Sequence, residues 1–305
     1  MTPAPSRWPA WKVRPLIVGQ GERKVVGQLH IETQTLARSC LFIPGDRPER
    51  FEKGWASAAD EIILDLEDSV SAANKTVARL NADKWLSSHR PALLRINGSE
   101  TPWYRKDLEL LQNPGLRGIL VSKAEKFENS LIQTCTALSK VLIPLIETAL
   151  GFRRARELAD CPNVERLAFG HLDFQSDLGI NDDGDALLYF RSELVLVSRL
   201  AGIAPPLDGV TVSVGSLKTV RADALRSKLL GFGGKLCVHP RQVEIVNQVF
   251  SPTKQELTWA RTVVGAFEEA QGAAIAINGK MIDRPIALQA MRILEREALT
   301  EKRKR

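Results

Sequence analysis

Eight short apolar runs, which recur from residue 40 onwards, constrain the fold of this chain most strongly. Each run has about the length of a β-strand that is buried on both faces, and most stretches between the runs carry apolar residues at helical spacing. Strands that alternate with helices form parallel βαβ units. Eight such units predict an α/β protein with a closed (β/α)8 barrel of the TIM type rather than an open sheet. The predicted strands are residues 40–45, 61–66, 92–97, 118–123, 141–146, 166–170, 209–214 and 234–238.

Helices are predicted between and after these strands. Pro144 lies inside the fifth predicted strand, and because proline donates no ladder hydrogen bond we expect it at a strand end or an irregularity. Gly272 to Gly279 is predicted to be small and flexible, and residues 279–285 are predicted to form a compact polar turn. The predicted helices include residues 72–88, 151–160, 185–201, 217–230, 253–271 and 286–299.

The pattern divides the chain into three parts. Residues 1–37 are predicted to be a disordered or loosely ordered basic leader, and residues 38–250 form the barrel. Residues 251–305 form a helical extension that can cap the barrel mouth, as a lid, or reach a neighbouring subunit for oligomerisation. These boundaries predict one barrel domain with an appended C-terminal segment.

Composition and charge exclude several classes of protein. Hydrophobic residues make up 44% of the chain and charged residues 26%, which is typical of a soluble globular protein. No apolar run approaches the roughly 20 residues of a membrane span. The net charge of +6 resides in the ends, since residues 1–40 carry +4 and residues 292–305 carry +3, which leaves −1 for the rest. We therefore predict neither a nucleic-acid interface nor a membrane anchor.

The four cysteines are far apart and form no CxxC pair, so a zinc site or a disulfide framework is not expected. Isolated thiols within apolar runs are typical of reduced proteins, and the predicted location is the cytoplasm. The cysteines are Cys40, Cys135, Cys161 and Cys237.

Charged and polar side chains follow the predicted strands at their carboxyl ends, where the active site of such a barrel lies. The strand entrances carry few of them. In strand order the exits offer Asp46 and Arg47; Asp65, Glu67 and Asp68; Arg95 and Asn97; Lys123 and Glu125; Glu147 and Thr148; His171 and Asp173; Ser213 and Ser216; and His239.

This arrangement predicts a metal-assisted reaction on a small acid. Glu147 and Asp173 come from different strands and can hold one Mg²⁺, which prefers octahedral oxygen coordination and keeps positions open for water and substrate. Arg95 suits a bidentate grip on a carboxylate. A metal and an arginine beside one acid suggest a 2-oxo acid that is chelated through its carboxylate and keto oxygens. Such a metal stabilises an alkoxide or enolate while a carbon–carbon bond breaks.

Structural interpretations compete with this chemistry at several positions. The three acids after the second strand could cap the next helix and pair with Lys75 and Arg79. Glu147 and Thr148 could begin a helix, and His171 and Asp173 could share a loop hydrogen bond. His239 before Pro240 is more often structural than catalytic, and the acids at 182, 183 and 185 read as a polar turn.

Nine motifs in order resemble the HpcH/HpaI aldolase superfamily, and more closely its citrate lyase β-subunit-like branch, over residues 40 to about 290. Two departures stand out: Ser122 replaces the usual proline, and residues 214–218 lack the usual aspartate-bearing loop. The motifs are residues 42–47, 64–70, 75–79, 95–97, 123–125, 145–151, 169–179, 231–240 and 279–285.

The resemblance implies a TIM barrel that performs Mg²⁺-dependent cleavage of a 3-hydroxyacyl-CoA to acetyl-CoA and a 2-oxo acid. The substrate would be citramalyl-CoA, malyl-CoA or citryl-CoA, with the first slightly favoured. The resemblance also implies a homo-oligomer, a trimer or a hexamer, in which a neighbouring subunit contributes an acid from its C-terminal segment.

Residue roles carry over with the resemblance. Glu147 and Asp173 would be the Mg²⁺ ligands, and Arg95 would hold the oxo-acid carboxylate and stabilise oxyanion charge. Glu67 and Asp68 would orient metal-bound waters, and Asp283 would be the lid acid that exchanges a proton with acetyl-CoA. The remaining predicted substrate-binding residues are the backbone of Leu172 and Asp173 together with Asp65, Lys123 and Arg47.

Three alternative functions stay open at this point. One is a CoA-independent pyruvate-type aldolase of the same superfamily, which needs no lid acid. Another is a thioesterase that hydrolyses malyl-CoA to malate and CoA. The non-enzyme alternative is a barrel retained as a scaffold or binding subunit.

Overall fold

The computed structural model describes residues 37–88, 90–277 and 279–303, with side chains described as far as residue 298. Eight parallel strands close into a barrel in which each strand pairs with the next and the eighth pairs with the first. The predicted (β/α)8 fold is therefore confirmed, whereas the predicted leader falls almost entirely outside the described residues. The strands are β1 (Ser39–Pro44), β2 (Glu61–Asp65), β3 (Ala92–Ile96), β4 (Leu116–Val121), β5 (Val141–Ile146), β6 (Arg166–Phe169), β7 (Ala204–Asp208) and β8 (Gly234–Cys237).

Helices surround the barrel and follow its strands. The predicted helices are confirmed within a few residues at each end. The prediction 151–160 is divided between two short helices, Ala149–Arg153 and Ala155–Ala159, and both 72–88 and 185–201 begin with 3-10 turns. The α-helices are α1 (Phe51–Trp55), α2 (Lys75–Leu86), α3 (Tyr104–Asp107), α4 (Asn129–Ala137), α5 (Ala149–Arg153), α6 (Ala155–Ala159), α7 (His171–Leu178), α8 (Leu188–Ala201), α9 (Leu217–Leu230), α10 (Pro240–Phe250), α11 (Lys254–Glu269) and α12 (Arg284–Arg303). The 3-10 segments are Pro48–Arg50, Ala72–Asn74, Leu108–Gln112 and Asp185–Leu187.

The apolar runs are buried on both faces because alternate residues of a strand point to opposite sides of the sheet. One set fills the barrel interior, and the other packs beneath the helices. On β2, for example, Ile63 belongs to the interior cluster, whereas Ile62 and Leu64 belong to the outer core. The interior cluster includes Cys40, Ile63, Leu93, Leu120, Ile143, Ala168, Leu207 and Leu236.

The prediction of the seventh strand is wrong. It was expected at 209–214, but β7 comprises Ala204–Asp208. Pro205 and Pro206 obscure this strand in the sequence because proline cannot donate a ladder hydrogen bond. The pairing between β6 and β7 shifts register at this point, and both proline carbonyls still accept hydrogen bonds, at 3.1 and 2.9 Å. Residues 209–216 form the loop that follows β7.

Pro144 lies within β5 as expected, at an irregularity of the sheet. Leu142 is opposite Val164, whereas Leu145 is opposite Ala168, so the pairing between β5 and β6 gains one residue across the proline. This shift accommodates a residue that cannot donate to the ladder.

The C-terminal segment forms a small structural unit of two helices and a hairpin. The stretch predicted to be flexible and the predicted polar turn instead contribute β9 (Ile275–Ile277) and β10 (Lys280–Ile282), which pair antiparallel. Helices α11 and α12 pack together around a core that includes Ala260, Val263, Ile282 and Ala290. The part of the chain that the structure describes contains no helix with both the length and the apolar character needed to cross a bilayer.

Candidate active site

Asp65 and Arg95 form a bidentate ion pair across neighbouring strands. Their Cα atoms are register partners on β2 and β3, and the Asp65 carboxylate accepts from Nε and Nη2 of Arg95 at 2.6 Å each. Both side chains are nearly or fully buried. Burial alone would raise the pKa of Asp65, but the Arg95 guanidinium outweighs it and holds this pKa below its usual value. Arg95 is therefore a fixed, charged group at the barrel mouth.

A second network fixes the loop that carries Glu67 and Asp68. The buried Lys75 ammonium donates to the carbonyl oxygens of Leu66 and Glu67 at 2.7 and 2.8 Å and to Asn97 Oδ1 at 2.8 Å. Burial lowers the pKa of Lys75. Lys75 is held by backbone carbonyls. The alternative interpretation, in which it pairs with the acids after the second strand, is therefore wrong. Arg79 instead binds the buried Asp107, at 3.1 Å.

Lys123 connects three carboxylates at the end of β4. Its ammonium lies 2.7 Å from Glu67 Oε1, 3.6 Å from Asp173 Oδ1 and 3.9 Å from Asp68 Oδ2. Its backbone has a left-handed φ of 49°, and its N–H donates to Glu147 Oε2 at 2.7 Å. Burial alone would lower the pKa of Lys123, but the hydrogen bond to Glu67 and the nearby carboxylates raise it.

Glu147 follows β5 and is almost fully buried, at 2% exposure. Its side chain lies against Gly170, at the end of β6. Burial and the nearby Glu67 carboxylate raise the pKa of Glu147 to about 8. Thr148 begins α5 by accepting a hydrogen bond from the Gly151 N–H at 3.0 Å. The helix-start interpretation therefore holds for Thr148, while Glu147 faces the barrel.

Asp173 lies in the first turn of α7 and is partly exposed, as is its neighbour Leu172. His171 is buried, and its Nε2 lies 3.6 Å from Asp183 Oδ1. Burial lowers the pKa of His171. The alternative interpretation, a loop hydrogen bond between His171 and Asp173, is wrong, because the imidazole faces Asp183 and packs closely on the Gly209 backbone.

These residues surround a cavity of about 190 Å³ at the carboxyl ends of the strands. Five predicted site residues line this cavity, namely Asp68, Arg95, Glu147, Leu172 and Asp173. Asp65, Glu67 and Lys123 are outside the lining and hold its polar side chains through the contacts described above. The lining residues are Phe42, Asp68, Arg95, Leu145, Glu147, Phe169, Gly170, His171, Leu172, Asp173, Val210, Leu236 and Val238.

Two predicted residues lie elsewhere in this chain. Arg47 is exposed and precedes the 3-10 segment after β1, outside the lining of this cavity. Asp283 accepts from the Ile286 N–H at 3.3 Å, at the start of α12, and is also outside this lining.

The exit of β7 carries a buried ion cluster that the sequence did not reveal. Asp208 is fully buried and accepts from Arg191 Nε at 3.0 Å and from the Ser227 hydroxyl at 2.5 Å, with the Lys235 ammonium 3.9 Å away. The predicted exit at 213–216 is wrong because the strand ends earlier. The sequence Asp208-Gly209, at which β7 ends, is the signal that could have indicated the true end of this strand.

His239 begins a helix, which agrees with its structural rather than its catalytic interpretation. Its Nδ1 accepts from the Arg241 N–H at 3.1 Å, and with Gln242 it forms a capping box that begins α10. It also lines a second cavity of about 400 Å³, which shares Phe42 and Val238 with the first. Arg50 and Lys53 also line this second cavity, and neither is among the site residues predicted from the sequence.

The HpcH/HpaI aldolase/citrate lyase family model matches residues 38–240, which comprise almost the whole barrel. The chain belongs to this family. It is 34% identical over 281 residues to a citrate lyase subunit beta-like protein of Deinococcus radiodurans, covering 86% of this chain and 98% of that protein. It is 33% identical over 255 residues to a (3S)-malyl-CoA thioesterase of Cereibacter sphaeroides, covering 81% and 89%.

A solved structure is similar over the same range. CitE from Mycobacterium tuberculosis in complex with magnesium, acetoacetate and coenzyme A has a TM-score of 0.73 at 30% identity, covering 86% of this chain and 98% of that one. The predicted resemblance to the HpcH/HpaI family and its citrate lyase β-subunit-like branch is confirmed.

In this HpcH/HpaI family member, the Glu147 and Asp173 carboxylates line one cavity and offer oxygen donors of the kind that a hard divalent cation prefers. The buried Glu147 carboxyl has a raised pKa, so additional positive charge there would stabilise its ionised form. Among the described residues no group of three or more His, Cys, Asp or Glu converges as ligands. Glu147 and Asp173 would thus supply two oxygen ligands, which suits an ion that takes its other ligands from water and substrate.

Proposed function

We propose that this chain is a Mg²⁺-dependent lyase that cleaves a 3-hydroxyacyl-CoA into acetyl-CoA and a 2-oxo acid. The observation that carries the proposal is the convergence of Arg95, Glu147 and Asp173 on one cavity at the carboxyl ends of the strands. The CitE relative that binds magnesium, acetoacetate and coenzyme A supports it. A citramalyl, malyl or citryl thioester supplies the carboxylate and hydroxyl oxygens that such a site would hold.

Glu147 and Asp173 would hold the metal ion, with Glu67 and Asp68 orienting waters beside it. When bound, Mg²⁺ polarises substrate oxygens and stabilises the negative charge that develops on them. Glu147 is kept in place by the Lys123 N–H and by its packing on Gly170.

Arg95 would hold the carboxylate of the oxo-acid half of the substrate. A guanidinium has five N–H donors. Two donate to Asp65 and one nitrogen, Nη1, lies 3.1 Å from Glu67 Oε2, so two N–H groups remain for the substrate. Because the guanidinium is held by buried carboxylates, it is already oriented before the substrate arrives.

In the cleavage step, the bond between the hydroxyl-bearing carbon and the methylene carbon of the thioester breaks. The hydroxyl loses its proton to water near Glu67 and Asp68 and becomes the keto oxygen. The bond's electron pair stays with the acetyl-CoA enolate, whose carbon then takes a proton that Asp283 of a second copy passes on from water, so that one proton is released to water and one is taken from it. Function would therefore require a homo-oligomer, a trimer or a hexamer, and the cytoplasm stays the predicted location.

The rest of the thioester would occupy the second cavity. This cavity adjoins the first at Phe42 and Val238, and its lining includes Arg50 and Lys53. Two cations suit the phosphate groups of coenzyme A. The reacting carbon would then lie in the small cavity and the nucleotide end in the larger groove.

The experiment that tests the proposal is an assay of the purified full chain with Mg²⁺ and each of the three thioesters. We expect release of pyruvate from citramalyl-CoA, glyoxylate from malyl-CoA or oxaloacetate from citryl-CoA, together with acetyl-CoA. No oxo acid from any of them would refute the lyase function.

A thioesterase is the second candidate, because a 33% identical relative is a (3S)-malyl-CoA thioesterase. Hydrolysis would release free malate and CoA, whereas cleavage releases glyoxylate and acetyl-CoA. The products of the same malyl-CoA assay therefore separate the two functions.

A further inference from the structure

We propose that the Lys123 ammonium is a displaceable counter-ion of the carboxylate cluster and competes with the divalent cation for it. This inference rests on the proposed function, because it concerns the metal ion that Glu147 and Asp173 would hold. It predicts that Lys123 weakens metal binding rather than supporting it.

The Lys123 ammonium lies close to two carboxylates at the barrel mouth. Lys123 Nζ contacts Glu67 Oε1 at 2.7 Å and lies 3.6 Å from Asp173 Oδ1. Mg²⁺ binds carboxylate oxygens at about 2.1 Å. A cation on Asp173 would therefore come close to the ammonium, and like charges at such distances in a partly buried site repel strongly.

The exposure of the two cations at the mouth decides which one can move. The Lys123 side chain is 41% exposed, whereas that of Arg95 is 11% exposed and is held by two hydrogen bonds to Asp65. Lysine has a flexible four-carbon stem and a strongly hydrated head group. Lys123 can thus turn its ammonium into solvent, whereas Arg95 cannot. The buried Glu67 carboxylate that Lys123 leaves keeps Arg95 Nη1 at 3.1 Å.

The backbone of Lys123 has a separate role that substitution of its side chain leaves intact. Its N–H donates to Glu147 Oε2 at 2.7 Å, from a φ of 49°. A methionine at this position keeps the Cβ, an unbranched side chain that reaches as far as the lysine Cε, and this N–H, and it removes the ammonium. Lys123→Met therefore tests the ammonium alone.

The experiment is direct titration of Mn²⁺, which substitutes for Mg²⁺ at oxygen sites, followed by electron paramagnetic resonance and calorimetry. The variants are Lys123→Met, Lys123→Arg and Lys126→Met, the last being an exposed lysine of the same loop that controls for net charge. We expect Lys123→Met to bind Mn²⁺ about tenfold more tightly than wild type or better, with little change in Lys126→Met. Lys123→Arg should bind no more tightly than wild type.

The outcomes separate this inference from the proposed function. If wild type and Lys123→Met bind Mn²⁺ equally, or if Lys123→Met binds it more weakly, the Lys123 inference is overturned and the metal function stands. If neither binds Mn²⁺, the proposed metal function itself fails. Thermal unfolding of each variant in the absence of Mn²⁺ confirms that the barrel is intact.

Discussion

Glu147 lies against Gly170, and its carboxylate fills the space that a larger residue at position 170 would need. A Cβ built on Gly170 would lie 2.6 Å from Glu147 Oε1 and 2.8 Å from its Cδ. Both distances are well inside van der Waals contact. The exit of β6 therefore determines where the carboxylate after β5 can lie, and the glycine is required by a close approach rather than by its own φ of −88°.

We expect Gly170→Ala to displace the Glu147 carboxylate and to weaken Mn²⁺ binding by tenfold or more, because about 1.4 kcal/mol of lost binding energy suffices for that change. Calorimetric titration measures it. Gly265→Ala is the matched control, since a Cβ there meets nothing within 4 Å. Position 265 lies inside α11, and alanine has a higher helix propensity than glycine. Unchanged Mn²⁺ affinity in Gly170→Ala would contradict the assigned position of the metal ligand.

Neutralising either metal ligand should abolish most of the activity. We expect Glu147→Gln and Asp173→Asn each to lower the rate about a thousandfold, or roughly 4 kcal/mol of transition-state stabilisation. Steady-state assays with the accepted thioester measure this loss. Asp185→Asn, at an exposed position that begins the 3-10 segment before α8, should retain full activity. A scaffold protein would keep its function in all three variants.

Removal of the Asp65 charge should destabilise the barrel as well as the site. Asp65→Asn leaves the buried Arg95 guanidinium without its main partner, which costs about 3–5 kcal/mol of unfolding free energy for pairs of this kind. Urea unfolding measures the difference. Glu109→Gln removes an exposed ion pair with Lys106 and should cost less than about 1 kcal/mol. Equal effects of the two substitutions would mean that the buried pair contributes no more than a surface one.

The Asp208 cluster should give a defined acid dependence of stability. Burial alone would raise the pKa of Asp208, but Lys235 and Arg191 outweigh it and lower this pKa to about 2. A pKa that is lower in the folded state stabilises the protein above the unfolded value near 4 and loses this contribution as the pH falls through about 2.

We therefore expect the gap in unfolding free energy between wild type and Asp208→Asn to shrink by about 2 kcal/mol from pH 5 to pH 2. Urea or thermal unfolding across this range gives the gap at each pH. A gap that stays constant over the whole range would show that ionisation of Asp208 contributes nothing to stability.

Asp283 should matter for turnover but not for folding. We expect Asp283→Asn to lower lyase activity a hundredfold or more, since general acid–base groups contribute about that much. Its thermal midpoint should be nearly unchanged, because an asparagine side chain can still accept from the Ile286 N–H at the start of α12. Full turnover by Asp283→Ala would instead favour a CoA-independent aldolase.

Much of the fold could be predicted because its signals are local. Apolar runs of strand length and helical spacing between them depend only on neighbouring residues, and they indicated the barrel and most of its helices. The β7 strand escaped because its two prolines carry no strand signal, whereas the alternating residues at 209–214 do. Its pairing across a register shift with β6 depends on residues that are distant in the chain.

The sequence by itself determined the barrel, the edge at which charged side chains gather, and the family. Only the tertiary structure decided the partners of those side chains. Arg95 is bound to Asp65, and the Lys123 ammonium lies among the carboxylates. These pairings arise because closing the barrel brings the ends of strands that are far apart in sequence within a few ångströms. In that partly buried space each charged side chain forms an ion pair with the nearest opposite charge, even when the two residues are far apart in sequence.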